Sequence, residues 1–517
     1  VLPLNLAEDV PNGLHAEILR RIVRKGAYHY RTSGLTPAEP SDDRLPETTR
    51  RILPWLVAVA FFMEALDTTI LNTGVPTIAK SLDVTALSMK AVLSSYTLSL
   101  AVFIPISGWM ADRFGTRRVF AGAIALFTLG SLLCGLSNNI HMLVACRILQ
   151  GMGGAMMTPV GRLVMVRTFA KSDLVRAMSF VAVPALIAPM LGPLVGGLIV
   201  DYLHWRVIFF VNIPVGILGF LLVWFNMPDY REKATRPLDV LGLILFSSGV
   251  ALLSYVLEIF GEHRLGTGGI LGLLAISLLL IFGYGLHAAR TAFPLLNLTL
   301  FRIRTFAISV SGSFVTRLGI GGAPFLLPLL YQVGLGLTPV QSGLLIMPQA
   351  LASMSTKFLL PRVLERFGYR NVLICNTLAL GGLLMLFGTI SRATPIWLII
   401  VQALCYGVLT SLQFTSMNTL AYADVPRDQS SGASTITSTS QQLSVSFGVA
   451  AAGLTTVFFL PTEATAAPAL IIDGLHKAFF VLGGFTILSA LVFSRLKKSD
   501  GGDEAGEKDL HIEEAKS

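Results

Sequence analysis

About fourteen stretches of some twenty mostly apolar residues, separated by short charged loops, run through this chain of 517 residues. A helix rises about 1.5 Å per residue, so about 20 residues cross the roughly 30 Å of a bilayer's hydrocarbon. The stretches therefore predict membrane spans near 52–74, 91–111, 118–137, 141–165, 177–200, 206–227, 239–259, 269–288, 305–332, 339–361, 371–390, 395–420, 431–460 and 475–495. Composition leads the same way. The chain is 53% hydrophobic and 13% charged, with mean hydropathy +0.70, against about 25% charged in an ordinary soluble domain. Too few polar residues remain to cover a globule of this size. In lipid each backbone group must be satisfied within its own segment, so the expected class is an all-α polytopic membrane protein.

The net charge is +9. In a soluble protein such an excess points to nucleic acid. Here the basic residues crowd into alternate loops: Arg50 and Arg51, then Arg113, Arg117 and Arg118, then Arg231, Lys233 and Arg236, then Arg362, Arg366 and Arg370, and finally Arg495, Lys497 and Lys498. The intervening loops carry few. By the positive-inside rule this asymmetry puts both termini in the cytoplasm of a plasma membrane, a bacterial inner membrane being expected, with no nucleic-acid partner. Residues 1–50 are polar and basic and are expected to hold no signal peptide; the initial Val leaves processing, truncation and an alternative start all open. Residues 12–31 read either as a basic amphipathic helix on the inner leaflet or as a disordered tail, and 499–517 as a disordered tail.

One phrase occurs twice. Asp112-Arg113-Phe114-Gly115-Thr116-Arg117-Arg118-Val119 is echoed by Glu365-Arg366-Phe367-Gly368-Tyr369-Arg370-Asn371-Val372. The copies fall after spans 2 and 10, which implies two related six-span halves with two further spans between them. The expected organisation is a cytoplasmic segment 1–50, a first bundle 51–227, a linker with two extra spans 228–300, a second bundle 301–498, and the tail.

With Gly108 before it, the first copy resembles the signature loop of the major facilitator superfamily. Span 1 (Leu66-Asp67-Thr68-Thr69), span 4 (Arg147-Ile148-Leu149-Gln150-Gly151) and span 5 (Gly192-Pro193-Leu194-Val195-Gly196-Gly197) resemble the fourteen-span drug:proton antiporter branch, with Ala188 where the branch's span 5 motif starts with Gly. The resemblance implies a transporter, not an enzyme: a proton-coupled exporter of hydrophobic or cationic small molecules working by alternating access. A carrier of a specific metabolite or lysolipid on the same fold is the alternative. It further implies that Asp112, with Gly108, Arg113, Gly115, Arg117 and Arg118, latches onto span 13 near Ser430-Ser431-Gly432 in the outward-facing state, and that Glu365, Arg366 and Arg370 are a weaker counterpart. Plain topogenic charge is the competing reading.

The residues carry their own chemistry. A carboxylate deep in a span must take up a proton or find a partner, which makes Asp67, and Glu64 on the same face three residues earlier, natural proton carriers. Arg147 stays charged and needs an anionic or carbonyl partner, so it is expected beside one of them. Gly192, Gly196 and Gly197 permit close helix contact, and Pro193 a bend. Arg317 and Lys357, ionisable inside apolar spans, read as substrate contacts or as side chains snorkelling to an interface; Met63 and Gln150 are further cavity candidates. Cys134, Cys146, Cys375 and Cys405 lack metal-ligand spacing and read as free buried thiols. No zinc-protease, nucleophile-elbow or P-loop motif occurs, so neither cofactor nor metal is expected. The expected partners are the bilayer, protons and a small-molecule substrate, and a monomer suffices.

Overall fold

The computed structural model describes residues 47–232, 237–259, 266–356, 360–426, 429–459, 468–497 and 500. Lys357 and the segment 12–31 lie outside them. Among the described residues the chain is all-helical. The crossing helices are α1 (Glu47–Ser81), α2 (Lys90–Phe114), α3 (Thr116–Gly135), α4 (Ile140–Thr168), α5 (Lys171–Tyr202), α6 (Val207–Asn226), α7 (Val240–Ile259), α8 (Thr267–Arg290), α9 (Arg304–Gly334), α10 (Pro339–Thr356), α11 (Leu360–Phe387), α12 (Ile396–Tyr422), α13 (Ser430–Phe459) and α14 (Pro468–Phe493). Thirteen of the described helices are long and apolar enough to cross a membrane. The exception is α10, 18 residues long and studded with Gln341, Ser342, Gln349 and Ser353. Its polar side chains have a use, because Gln349 and Ser353 line a central cavity.

Helix ends follow local chemistry. The first span was expected to close near residue 74, but α1 runs intact through Pro76 to Ser81. In α9 the helix breaks at Gly321–Gly322 and resumes at Ala323. Pro324 has no N–H to offer the Ile320 carbonyl one turn back; that carbonyl instead accepts the Tyr406 hydroxyl at 3.4 Å. Both repeated loops turn on a glycine in the left-handed region, Gly115 at φ 94° and Gly368 at φ 70°, where a side chain would be strained.

Within the first six helices α1 packs on α5, and α4 on both α2 and α3; within the last six α11 packs on α14 and α10 on α12. The two sets meet along α2–α13 and α5–α10. The extra helices α7 and α8 pair with each other, and α7 rests against α13 and α2. Phe246, Val250 and Tyr284 share a core there with Ala101, Ala433 and Ile436.

The sets are tied at the end remote from the repeated loops. There the Gln332 side-chain amide donates to the Thr73 carbonyl at 2.9 Å, the Val340 N–H to Asp201 at 3.0 Å and the Ser446 hydroxyl to the Ser94 carbonyl at 3.1 Å. Glycines let the backbones touch: a Cβ on Gly197 would lie 2.6 Å from the Pro339 carbonyl oxygen, and one on Gly343 would collide with the Pro193 carbonyl. At the loop end the described hydrogen bonds and ion pairs stay within one half. The described polar ties between the halves thus gather toward the far end.

Candidate functional site

Four helices of the first half converge on Asp67. Its carboxylate accepts from Arg147 Nη1 at 2.5 Å, from Gln150 Nε2 at 2.8 Å and from Asn212 Nδ2 at 3.0 Å. Gln150 returns its carbonyl to Arg147 at 2.7 Å and donates to the Ser131 hydroxyl at 2.7 Å. The Tyr96 ring lies 4.1 Å under the guanidinium. Asp67 and Arg147 are each 1% exposed. Burying two charges is costly, and the attraction between them offsets that cost only where further hydrogen bonds satisfy the remaining lone pairs and protons. Asn212 and Gln150 do that for the carboxylate.

The expected association of Arg147 with a span 1 carboxylate is thus present in the geometry, and it is with Asp67. Glu64 stands apart: it accepts from the Thr158 hydroxyl at 2.7 Å and is half-buried. Gln150 and Met63, expected in a substrate cavity, lie elsewhere. Gln150 is locked in the Asp67 network, and Met63 is buried in the first-half core with Leu53, Val57 and Phe61. Sequence reasoning did not assign Tyr96, Ser131 or Asn212 to this site. Their one visible signal was a polar side chain within an apolar stretch.

The central cavity lies between the halves, with a volume of about 280 Å³. Thr69 and Asn72 of α1 and Pro189 and Pro193 of α5 form one wall; Arg317 and Tyr406 stand on the other. Asp67 and the cavity therefore share α1, and the glycine motif clamps that helix. A Cβ at Gly192 would run into Thr69, and one at Gly196 into the Ile70 carbonyl.

The first repeated loop holds partners other than the latch expected in the outward-facing state. Asp112 pairs not with α13 but with Arg167 of α4 at 3.0 Å, and Arg167 also binds Glu232 at 2.9 Å. The segment after α6 is laced to the same loop. The Arg117 N–H donates to Asp229 at 3.0 Å, the Thr116 N–H to the Tyr230 carbonyl at 3.0 Å and the Glu232 N–H to the Asp112 carbonyl at 3.1 Å. Leu300, not Asp112, reaches Gly432 at the start of α13. Gly108 has no atom within 4 Å of its Cβ position, so it makes no close helix contact. Arg113 and Arg118 are exposed, as are Glu365 and Arg366, while Arg370 is half-buried. Cys134 and Cys146 are buried, but Cys375 and Cys405 are exposed. Among the described residues no cluster has the makings of a metal site.

The sequence matches the Major Facilitator Superfamily over residues 57–449 and 309–513. The chain belongs to that superfamily. It is 40% identical over 444 residues to "Putative multidrug resistance protein MdtD" of Pectobacterium atrosepticum, covering 86% of this chain and 95% of that one. It is 43% identical over 410 residues to the protein of the same name from Escherichia coli O7:K1, covering 79% and 87%. Among solved structures it is similar in fold to a D-xylose–proton symporter, with TM-score 0.63 and 15% identity over 87% of this chain and 99% of that one. The superfamily chain is thus a multi-pass membrane transporter and not an enzyme.

Proposed function

We propose that this transporter exports hydrophobic or cationic small molecules in exchange for protons, across a bacterial inner membrane, as a monomer with both termini in the cytoplasm. The relatives that span most of its length carry a multidrug resistance name. The observation that carries the proton coupling is the buried Asp67–Arg147 pair. A carboxylate there has two stable conditions: ionised against Arg147, or protonated and neutral with the pair released. With the ties between the halves gathered toward the far end, this conformation reads as a carrier open to the cytoplasm, with Asp67 held by Arg147.

Coupling then runs through α1. Protonating Asp67 from outside loosens its hold on α4 and α6. Thr69 and Asn72 on the same helix carry that shift to the cavity, and Gly192 and Gly196 make α5 move with α1. Residues 51–227 rock against 301–498. In the other state Asp112 exchanges Arg167 for the start of α13 as the loop end closes.

The test is proteoliposomes with an imposed pH gradient and a fluorescent hydrophobic substrate. Wild type should accumulate it against its gradient and Asp67→Asn should not. Accumulation unchanged by collapsing the pH gradient would overturn proton coupling.

A further inference from the structure

We propose that Arg317 is an anion subsite of the central cavity, so that the compounds this transporter holds best are apolar molecules bearing a carboxylate, sulfonate or phosphate. The proposal rests on the exporter reading but departs from its cationic substrate class: the cavity favours apolar anions over cations. Arg317 is 8% exposed and lines the cavity. Its Nε donates to the Ser313 hydroxyl at 3.2 Å, and the Phe414 ring covers one face of its guanidinium at 3.7 Å. Among the described residues no carboxylate pairs with it, and no other hydrogen bond engages its Nη groups. A guanidinium stays ionised when buried, so such a site lacks a counter-charge.

The rest of the cavity wall supplies none. Its other polar members, Thr69, Asn72, Gln349, Ser353, Thr410 and Tyr406, are neutral, and among the described residues no Asp or Glu lines it. Arg147 shows what a partnered arginine in this chain looks like: a carboxylate, a glutamine carbonyl and an aromatic face. Arg317 has the aromatic face and lacks the acid. Its planar fork fits a carboxylate or phosphate with two parallel bonds. Phe414, Ile320 and Leu327 beside it suit an apolar body.

Matched probes read this out: naphthoate, naphthamide and naphthyltrimethylammonium, bound to the full chain in nanodiscs at neutral pH and followed by calorimetry. Wild type should bind naphthoate about tenfold or more tightly than the amide, with the ammonium weakest. Arg317→Gln should lose that preference, and Arg317→Lys should keep part of it, because lysine restores the charge but not the fork. Equal binding of the three probes by wild type overturns the proposal, and so does a naphthoate preference that survives in Arg317→Gln. Should the Gln variant fail to fold, the wild-type order and the Lys variant decide. A lysophospholipid that displaces naphthoate would supply the same anion chemistry from the membrane; naphthoate retained against it favours a soluble source. Proton-driven movement of the neutral amide by wild-type proteoliposomes, at amide concentrations that saturate its measured binding, tests export by itself. Its failure would remove the exporter reading and leave the binding order to judge the subsite.

Discussion

The two halves hold the same polar device with a different charge in it. In each, a glutamine on the fourth helix donates to a hydroxyl on the third: Gln150 to Ser131 at 2.7 Å, and Gln413 to Thr377 at 2.8 Å. The first half adds an acid from its first helix and a base from its fourth, Asp67 and Arg147, bonded to each other and sealed from the cavity. In the second half the network stays neutral, completed by Asn376 donating to Gln413 at 2.7 Å. The charge there is Arg317, on the first helix of that half and facing the cavity. A sealed pair suits a proton that must be held and released, and an unpartnered cation suits a ligand. On the functions proposed above, the two halves would divide the labour.

The largest effect should come from splitting the pair. Asp67→Asn keeps the shape and the amide contacts but leaves Arg147 buried without a counter-charge. It should abolish proton-driven transport and lower stability by about 3–5 kcal/mol, read by thermal unfolding in detergent. Adding Arg147→Met should return most of that stability and none of the transport. Additive losses in this double-mutant cycle would show that the two residues act separately.

Next comes the far end. Gly197→Val and Gly343→Val each push a side chain into the opposing backbone. Each should bias the carrier away from the far-end-closed state and slow transport about tenfold or more, the effect of about 1.4 kcal/mol on that state. Thiol labelling of cysteines placed at the far end should rise in parallel; unchanged labelling would break the account of closure. In the neutral network, Gln413→Leu should cost only about 1–2 kcal/mol of stability and leave proton coupling intact. A loss of coupling as large as that of Asp67→Asn would erase the contrast between the halves.

The smallest effect lies outside the spans. Burial opposes the Asp239 charge, but hydrogen bonds from His287 and from the Gly242 and Leu295 N–H groups outweigh it and hold its carboxyl below the ordinary aspartate value. Its contribution to stability is present above the unfolded value near 3.8 and lost as the pH falls through the lower folded one. Asp239→Asn should therefore lower the melting temperature slightly at neutral pH and make no difference in strong acid.

Much of this was legible in the sequence. Span positions follow from hydrocarbon thickness, and two acids and one base inside apolar spans pointed to a pair, with the choice between Glu64 and Asp67 left to the geometry. What stayed hidden depends on convergence. Asn212 and Ser131 are ordinary polar residues until α6 and α3 bring them to Asp67, and Gln150 read as a cavity residue because helical facing cannot be judged from one helix alone. The Asp112 latch expected in the outward-facing state is a different case. A latch between moving halves has two sets of partners, and one conformation displays one set, here Arg167 and Glu232.

The most direct test of the division of labour is substrate-induced proton release from purified protein in weakly buffered detergent solution. At a pH where part of the population holds Asp67 protonated, substrate should draw those carriers into the ionised, paired state, so that wild type releases protons, Arg317→Lys does so at higher substrate concentration, and Asp67→Asn binds substrate without releasing any. Wild-type proton release from Asp67→Asn would contradict the account.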